Sequence, residues 1–270
     1  MEVLRPVEGL KRERTMRVFA AICGYLDMEL GRLTEGEGAG FIRIPVPAYI
    51  IEHPKGLAVF DTGLRRGLSD TQDPGHAQYA SWQIDVDLPA GADLASRLAA
   101  LGRDANDVRY LVNSHLHFDH CGGNHMLPNA PVVIQKREWR AAQVPELQEK
   151  VGYDPRDFAL GHDVIEVDGE HDLFGDGSVV CVPTYGHTPG HQSLKVRTNS
   201  GDIVLTADAC YFRSVLQSLR LPRNVFDRDA MRQSLLRLRA MQLAGAELYF
   251  GHEPDHWHGK AGELHLIGGV

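Results

Sequence analysis

The segment 114–124 places four side chains that can bind a metal within six positions. They are His115, His117, Asp119 and His120. A regular strand sends alternate side chains to opposite faces and a helix groups residues three or four apart, so neither brings all of them to one point. The β-branched, apolar run 108–112 predicts a buried strand just before them, and Gly122 with Gly123 interrupts the chain just after them. The pattern therefore predicts a ligand-bearing loop that follows a buried strand.

The residue types in this loop indicate which metals fit. Imidazole nitrogen suits zinc, copper, iron and nickel, and a carboxylate among imidazoles still suits zinc. A loop of three histidines and one aspartate therefore favours zinc or a similar metal over calcium or magnesium. The alternative is a surface loop that is rich in histidine by chance, and the position directly after a buried strand argues against it.

Length and charge bound the class of protein. With 270 residues, 43% of them hydrophobic, the chain can bury a large core as one domain or two small ones. The absence of a linker favours a single domain over residues 1–270. A net charge of −8 without any basic run argues against nucleic acid or an anionic membrane as the partner. No apolar segment approaches the roughly 18 to 20 residues that cross a bilayer.

Cysteine usage predicts the compartment. The four cysteines lie far apart in the sequence and form no C-x-x-C pair. They are Cys23, Cys121, Cys181 and Cys210. Free thiols that serve as small apolar side chains are the simplest interpretation, and they predict a reduced, cytoplasmic protein. The basic residues 11–14 and the apolar run 18–26 imitate a signal peptide, but the run is short and lacks a clear small-residue cleavage site.

Hydrophobic periodicity predicts strands and helices on both sides of the histidine loop. Predicted strands cover 17–28, 41–52, 57–60, 108–112, 131–134, 164–167, 179–182, 193–196, 203–205 and 248–250. Predicted helices cover 94–101, 137–143 and 231–241. We expect 64–90 to form a long loop that covers a site and the strands of 163–207 to form one meander, while 146–161 has no clean period. The alternation of strands and helices predicts an α/β or α+β fold.

The H-x-H-x-D-H motif of residues 115–120 resembles the signature of the metallo-β-lactamase superfamily. Phe118 and the Cys-Gly-Gly-Asn sequence of 121–124 narrow the resemblance towards the lactonases that hydrolyse N-acyl homoserine lactones. The resemblance implies an αββα sandwich, in which two mixed β-sheets pack face to face with helices outside.

Three further ligands are needed if two metals are to be held, and each has a candidate at the end of a predicted strand. They are His187, Asp208 and His252. His187 lies in a tight turn that contains Gly186 and Gly190, and an acid that ends a buried apolar strand, as Asp208 does, is costly unless it is paired or metal-bound. The resemblance implies a first metal on His115, His117 and His187, a second on Asp119, His120 and His252, and Asp208 as the bridge between them.

Other polar residues near these motifs have more than one interpretation. His191 opens the next strand, which favours a hydrogen-bonding role in the core over a role as a ligand. Asp61, in the Asp-Thr-Gly sequence that follows a strand, either caps a turn or acts directly beneath the metal site. His256 and His258 lie close to His252 and are the alternatives to it.

The implied cofactor is a pair of zinc ions, with iron, cobalt or manganese as alternatives. Two zinc ions about 3.5–4 Å apart would share a water and lower its pKa from about 15.7 towards 7. The resemblance implies that the resulting hydroxide opens the lactone ring of an N-acyl homoserine lactone and so degrades a quorum-sensing signal. Tyr211 is expected either to donate a hydrogen bond to the oxyanion or to pack beneath the site. Asp119 is expected to orient the water and to pass a proton to the leaving alkoxide.

Three other functions fit part of the pattern. A lactonase that acts on another small lactone, such as 4-pyridoxolactone, would use the same metal core. A thioesterase of the glyoxalase II kind has no equivalent of Tyr211 in its pattern. A metal-bound binding protein without turnover would not need all seven ligands and Tyr211.

Substrate length is the least determined property. The sequence departs from the family in 64–90 and after His252, where the acyl chain or a partner subunit would be contacted. We expect Met28, Tyr79 and Trp82 to contribute to an apolar pocket. Family members are often dimers, so a homodimer is the expected assembly.

Overall fold

The computed structural model describes residues 16–36, 40–257 and 264–269. Its strands are β1 (Arg17–Glu29), β2 (Phe41–His53), β3 (Gly56–Phe60), β4 (Asp85–Asp87), β5 (Val108–Val112), β6 (Val132–Gln135), β7 (Val164–Val167), β8 (His171–Asp172), β9 (Val179–Pro183), β10 (Gln192–Thr198), β11 (Gly201–Leu205), β12 (Glu247–Tyr249) and β13 (Leu264–Gly268). Its α-helices are α1 (Leu30–Leu33), α2 (Pro74–Ser81), α3 (Leu94–Ala100), α4 (Phe118–Cys121), α5 (Lys136–Ala141), α6 (Pro145–Val151), α7 (Pro155–Phe158), α8 (Arg213–Ser218) and α9 (Arg228–Leu243). None of the helices in these ranges combines the length and the apolar character needed to cross a bilayer.

The described strands form two mixed sheets, as the family resemblance implies. The larger sheet has eight strands in the order β13-β1-β2-β3-β5-β6-β7, with β4 paired to β1. The smaller sheet has five strands in the order β12-β11-β10-β9-β8. The pairs β3–β5, β5–β6, β6–β7 and β11–β12 are parallel, and the other pairs are antiparallel.

The layers of the fold follow from three apolar clusters. Between the sheets, Val18, Ile51 and Phe60 of the larger sheet pack with Val179, Leu194 and Leu205 of the smaller one. Helix α3 packs Leu94 and Leu98 against the other face of the larger sheet, and α9 packs Leu235 and Leu238 against the other face of the smaller sheet. The order helix, sheet, sheet, helix is the αββα sandwich.

Strand β1 shows why this fold gives long apolar runs. Its alternate residues Val18, Ala20 and Ile22 lie in the cluster between the sheets, whereas Phe19, Ala21 and Cys23 lie in the cluster on the opposite face. Both faces of this part of the strand are covered, so residues 18–23 are all apolar instead of alternating with polar residues.

The ends of four strands deliver the predicted ligands to one place. Strands β5, β9, β11 and β12 end three or four residues before His115, His187, Asp208 and His252, respectively. A hydrogen bond also joins the two sheets at this edge. Gln192 N, at the start of β10, donates to Ser114 O, just after β5, over 2.9 Å. The sandwich therefore brings residues that are far apart in the sequence to a common edge.

The prediction of a long loop over 64–90 was wrong. This region contains α2 and β4, and β4 pairs with β1. Asp73 caps α2, since its carboxylate accepts a hydrogen bond from Gly75 N over 2.7 Å, and Pro74 follows it at the first helical position. An acid followed by proline is a recognised start of a helix, so the sequence carried the signal.

The prediction of one meander over 163–207 was wrong for its first strand. Strand β7 pairs in parallel with β6 in the larger sheet, and only β8 to β11 form the antiparallel run in the smaller one. A parallel pair needs a crossover connection. Helices α5, α6 and α7 supply it, and α6 and α7 lie in the stretch 146–161 that showed no clean period.

A buried ion cluster anchors the beginning of 64–90 to α7. Arg65 donates to both oxygens of Asp73, over 2.6 and 3.0 Å, and through Nε to Asp157 over 2.9 Å. Asp157 is 1% exposed, and its Oδ2 makes no hydrogen bond within the described ranges. Burial and the neighbouring Asp154 raise the pKa of Asp157 to about 7, although Arg65 opposes the shift.

Asp157 should make the protein less stable as the pH rises. Its pKa is raised from 3.8 to about 7 in the folded state. Its stabilising effect is therefore complete below about pH 4 and lost as the pH rises through about 7. In Asp157→Asn this loss is absent, so the free energy of unfolding relative to the wild type should increase by about 2–3 kcal/mol between about pH 5 and pH 8. Urea denaturation at both pH values measures the change; the same pH dependence in both proteins would contradict the assignment.

Candidate metal centre

The structure brings all seven predicted ligands together. They form two groups in which the candidate ligand atoms lie within 4.8 Å of one another: His115, His117, His187 and Asp208 in the first, and Asp119, His120 and His252 in the second. Six of the seven residues are buried, and His117 is partly buried. Residues from four separate strand ends therefore share one enclosed space.

Asp208 lies between the two groups. Its Oδ2 is 3.2 Å from His187 Nε2 and 3.7 Å from His115 Nε2. Its Oδ1 is 3.1 Å from both His120 Nε2 and His252 Nε2. One oxygen therefore faces each group, which is the arrangement a bridging carboxylate requires.

The outward nitrogen of each imidazole has a hydrogen-bond partner that fixes the ring. The partners are Ser114 Oγ for His115 Nδ1 at 2.9 Å, Val151 O for His117 Nε2 at 2.9 Å, Asp61 Oδ2 for His120 Nδ1 at 2.9 Å, Pro45 O for His252 Nδ1 at 2.8 Å and Tyr211 OH for His187 Nδ1 at 3.4 Å. A proton held on the outward nitrogen leaves a lone pair on the inward one. The rings are therefore oriented as metal ligands are.

The inward nitrogens of the first group crowd together. His117 Nδ1 lies 2.9 Å from His115 Nε2 and 3.0 Å from His187 Nε2. Burial lowers the pKa of His115 well below its usual value and that of His117 to about 4, so both rings are neutral near pH 7. The three facing nitrogens therefore present lone pairs to one another, and a cation between them would be bound by all three.

Carboxylates surround the imidazoles of the second group. Burial lowers the pKa of His120, but the carboxylates of Asp208, Asp119 and Asp61 outweigh burial and hold it well above its usual value. His120 Nε2 and Asp208 Oδ1 are both buried without a hydrogen-bond partner in the described ranges, although they are only 3.1 Å apart. A pair that is close but not aligned for a hydrogen bond also fits a cation between the two atoms.

Asp61 positions His120 instead of merely capping a turn. Its carboxylate accepts hydrogen bonds from Ser114 N and Ser114 Oγ, both over 2.7 Å, and contacts His120 Nδ1 over 2.9 Å. Asp61 directly follows β3, which pairs in parallel with β5, so the two strand ends meet beneath the loop. Of the two interpretations left open by the sequence, the structure supports the role beneath the metal site.

His191 has the hydrogen-bonding role predicted for it. Its Nε2 accepts from Asp208 N over 3.1 Å, and its Nδ1 lies 2.9 Å from Thr184 Oγ1. The ring therefore holds the backbone of Asp208. His256 Nε2 accepts from Phe250 N, which leaves it outside both groups, and His258 lies outside the described residues.

Sequence reasoning missed Glu138, the residue that ties the two ligand loops together. Its Oε1 accepts from Leu116 N over 3.1 Å and from Tyr153 OH over 2.8 Å, and its Oε2 accepts from Thr188 Oγ1 and Gly190 N, each over 2.8 Å. Burial raises the pKa of Glu138, and the four donors oppose that shift. Glu138 lies in a Lys-Arg-Glu-Trp-Arg sequence, whose charges indicate an exposed helix, so its burial could not be predicted from its neighbours in the chain.

The glycines of the 184–191 turn are needed for close packing. Gly186 has φ +126°, and a Cβ there would lie 2.1 Å from Met231 N. A Cβ on Gly190 would lie 2.2 Å from Glu138 N. The turn that carries His187 can therefore approach α9 and α5 only because both positions lack side chains.

The ligands open into a cavity of about 600 Å³. Tyr211 lines it, and burial raises the pKa of the phenol well above its usual value, so the hydroxyl keeps its proton. Met28 and Trp82 also line it, as predicted. Tyr79 does not; its ring stacks behind Phe118 at a centroid distance of 3.9 Å and supports that wall indirectly.

Comparisons with known proteins agree with this architecture. Residues 42–252 match the family model described as the metallo-beta-lactamase superfamily. The chain is 36% identical to the N-acyl homoserine lactonase AttM of Azorhizobium caulinodans over 239 residues, which covers 84% of this chain and 88% of that one. It is 30% identical to an N-acyl homoserine lactonase of a Bacillus species over 229 residues, covering 84% and 87% of the two chains.

A solved structure is similar as well. It is an N-acyl homoserine lactone hydrolase with the product N-hexanoyl-L-homoserine bound at the catalytic metal centre. The two folds superpose with a TM-score of 0.80 at 25% identity, over 90% of this chain and 95% of that one.

Replacing Glu138 by glutamine should loosen the centre without removing any predicted ligand. A glutamine NH₂ would face donors that now find an acceptor, so Glu138→Gln should lower the free energy of unfolding by about 2–4 kcal/mol. Denaturant unfolding measures the loss, and elemental analysis should show weaker metal retention. Glu146→Gln, on the exposed side of α6, is the matched control and should be neutral. Equal stability of the two variants would contradict the tethering role.

Proposed function

Because the chain belongs to the metallo-β-lactamase superfamily and, within it, to the N-acyl homoserine lactonases, we propose that it hydrolyses the lactone ring of N-acyl homoserine lactones and so degrades quorum-sensing signals. The observation that carries the proposal is the convergence of seven ligand-type side chains on a cavity that Tyr211 also lines. The activity of the similar lactonases supports the choice of substrate class.

We propose that the centre holds two divalent metals and that they are zinc. His115, His117 and His187 would hold one, Asp119, His120 and His252 the other, and Asp208 would bridge them. The donor set of nitrogens and carboxylate oxygens suits zinc, with iron, cobalt or manganese as alternatives. Metals held in this way acidify a bound water and polarise a carbonyl oxygen.

Two side chains would act on the substrate. Tyr211, protonated and buried at the cavity wall, would donate a hydrogen bond to the oxyanion that forms when the lactone carbonyl is attacked. Asp119 has its Oδ2 3.6 Å from His120 Nε2 and 3.7 Å from His252 Nε2, and it lines the same cavity. Its carboxylate would accept the proton of the attacking water and return it to the leaving alkoxide.

The cavity favours an acyl homoserine lactone over a smaller lactone. Leu26, Met28, Ile44, Trp82, Ile84 and Phe118 give it an apolar lining, which suits an alkyl chain. A compact aromatic lactone such as 4-pyridoxolactone would leave much of this lining uncovered.

The remaining proposals concern the setting of the enzyme. All four cysteines are buried free thiols, which supports a reducing, cytoplasmic location. A single domain over 1–270 and assembly as a homodimer also stay proposals, and sedimentation analysis would decide the assembly.

Substitution of the bridging residue tests the metal proposal. Asp208→Asn removes the negative charge between the groups, so it should lower the metal content from about two ions per chain and reduce lactone hydrolysis by about 100-fold or more. Elemental analysis and a pH-stat assay measure the two effects. Asp202→Asn, six positions earlier on β11, should change neither. A variant that keeps both metals and full rate would rule out the bridge.

Removal of one hydroxyl separates the two interpretations of Tyr211. If the phenol stabilises the oxyanion, Tyr211→Phe should lower kcat by about 10- to 100-fold with metal content unchanged. If the ring only packs beneath the site, kcat should stay within about two-fold of the wild type. Tyr49→Phe, at an equally buried position in β2, controls for loss of a buried hydroxyl.

A further inference from the structure

Beyond the candidate metal ligands, the cavity has a cationic lining. Arg32, Lys150 and Arg223 contribute to it, and Glu149 is the one acid among the lining residues outside the two ligand groups. The chain as a whole has a net charge of −8. Positive charge is therefore concentrated at this cavity although the chain as a whole is acidic.

Arg32 stands out among the three cations because its guanidinium makes no hydrogen bond or ion pair with any residue in the described ranges. It is only partly exposed. Arg223 is more exposed, and its nearest carboxylate is that of Glu29 at 3.7 Å. Lys150 is engaged differently, since its ammonium lies 5.1 Å from the centre of the Phe226 ring.

The segment that presents Arg32 is fixed relative to the metal centre. Arg223 N donates to Arg32 O over 3.0 Å, and Glu35 N donates to Leu221 O over 3.0 Å. Further along the same segment, Phe226 N donates to His187 O over 3.2 Å. The wall of the cavity that bears the two arginines is thus hydrogen-bonded to a loop that carries a candidate ligand.

An apolar path leads along this wall to Arg32. Leu26 and Met28 on β1 line the cavity, and Arg32 and Leu33 follow them on α1 and line it too. An alkyl chain on this surface would share the cavity with the guanidinium of Arg32. Because no protein acceptor within the described ranges takes up its N–H groups, the guanidinium of Arg32 is available to an acceptor on a bound ligand.

We propose that Arg32, supported by Arg223, binds an oxygen acceptor on the acyl chain and makes the enzyme selective for oxygen-substituted acyl groups. A terminal carboxylate is the best acceptor, because it can take two parallel hydrogen bonds from one guanidinium. A keto oxygen on the chain is the weaker alternative from the same chemistry. This inference rests on the proposed lactonase function and names the substrate class within it.

Three homoserine lactones with six-carbon acyl groups test the proposal: the hexanoyl, 3-oxohexanoyl and 5-carboxypentanoyl compounds. In Arg32→Gln, kcat/KM for the carboxylated substrate should fall about ten-fold or more, while that for the hexanoyl substrate should change less than about two-fold. Raising the salt concentration should weaken the wild-type enzyme on the carboxylated substrate alone. A selective loss on the 3-oxo substrate instead would assign the site to the keto oxygen.

Arg232→Gln, an exposed arginine of α9 outside the cavity lining, is the matched control and should behave as the wild type. An equal loss on all three substrates in Arg32→Gln would overturn the proposal, because it would indicate a structural role. Calorimetric binding of the ring-opened 5-carboxypentanoyl homoserine gives a readout independent of turnover, and it should weaken about ten-fold in Arg32→Gln. Wild-type protein that hydrolyses none of the three would refute the lactonase function, whereas the binding measurement would still decide the role of Arg32.

Discussion

One buried carboxylate, that of Asp208, sets the physical problem that the rest of the structure solves. It lies within 3.7 Å of imidazole nitrogens from His115, His120, His187 and His252, and it is 3% exposed. A charge in the interior is tolerated only where other charged or polar groups surround it. The fold must therefore bring three other chain segments to this carboxylate and hold each imidazole with its lone pair inward.

The αββα sandwich meets that demand with strand ends. Strands β5, β9, β11 and β12 come from both sheets, and each ends shortly before a residue of the centre. Each strand is held in its sheet by backbone hydrogen bonds, whereas the chain beyond its end can turn towards the centre. Because the strands already end near one another, the loops that follow can be short and still converge. Asp61, Glu138 and His191 accept hydrogen bonds that then fix these loops to one another. Such support around the ligand residues gives a site its preorganised geometry.

The ligand-type residues could be predicted from the sequence, whereas the residues that hold the ligand loops in place largely could not. The motif at 115–120 is local, and His187, Asp208 and His252 could be found because each follows an apolar run that predicts a strand. Asp61 and Glu138 act through contacts with residues that lie 15 to 59 positions away, as in the pairs Tyr153–Glu138 and Asp61–His120. Neither their type nor their spacing distinguishes them from a turn residue or an exposed helical acid. The sheet that β7 joins could not be predicted either, because the choice depends on a three-helix crossover in which α6 and α7 lie in a stretch without a clean period.

Backbone atoms of the cavity wall form hydrogen bonds with the loops of the metal centre. Substitutions of side chains in this wall should therefore have different effects from insertions or deletions in it. His117 Nε2 contacts Val151 O over 2.9 Å, and Phe226 N donates to His187 O over 3.2 Å, so main-chain atoms of the wall hold two ring-bearing loops in place. The side chains of Arg32, Lys150 and Trp82 face the cavity from the same walls and make no hydrogen bond to the candidate ligands. Substitution of these side chains can change which acyl group fits while the main-chain contacts persist. An insertion or deletion at 150–152 or 224–227 would instead move the loops that carry His117 and His187, and so would alter the chemistry along with the selectivity.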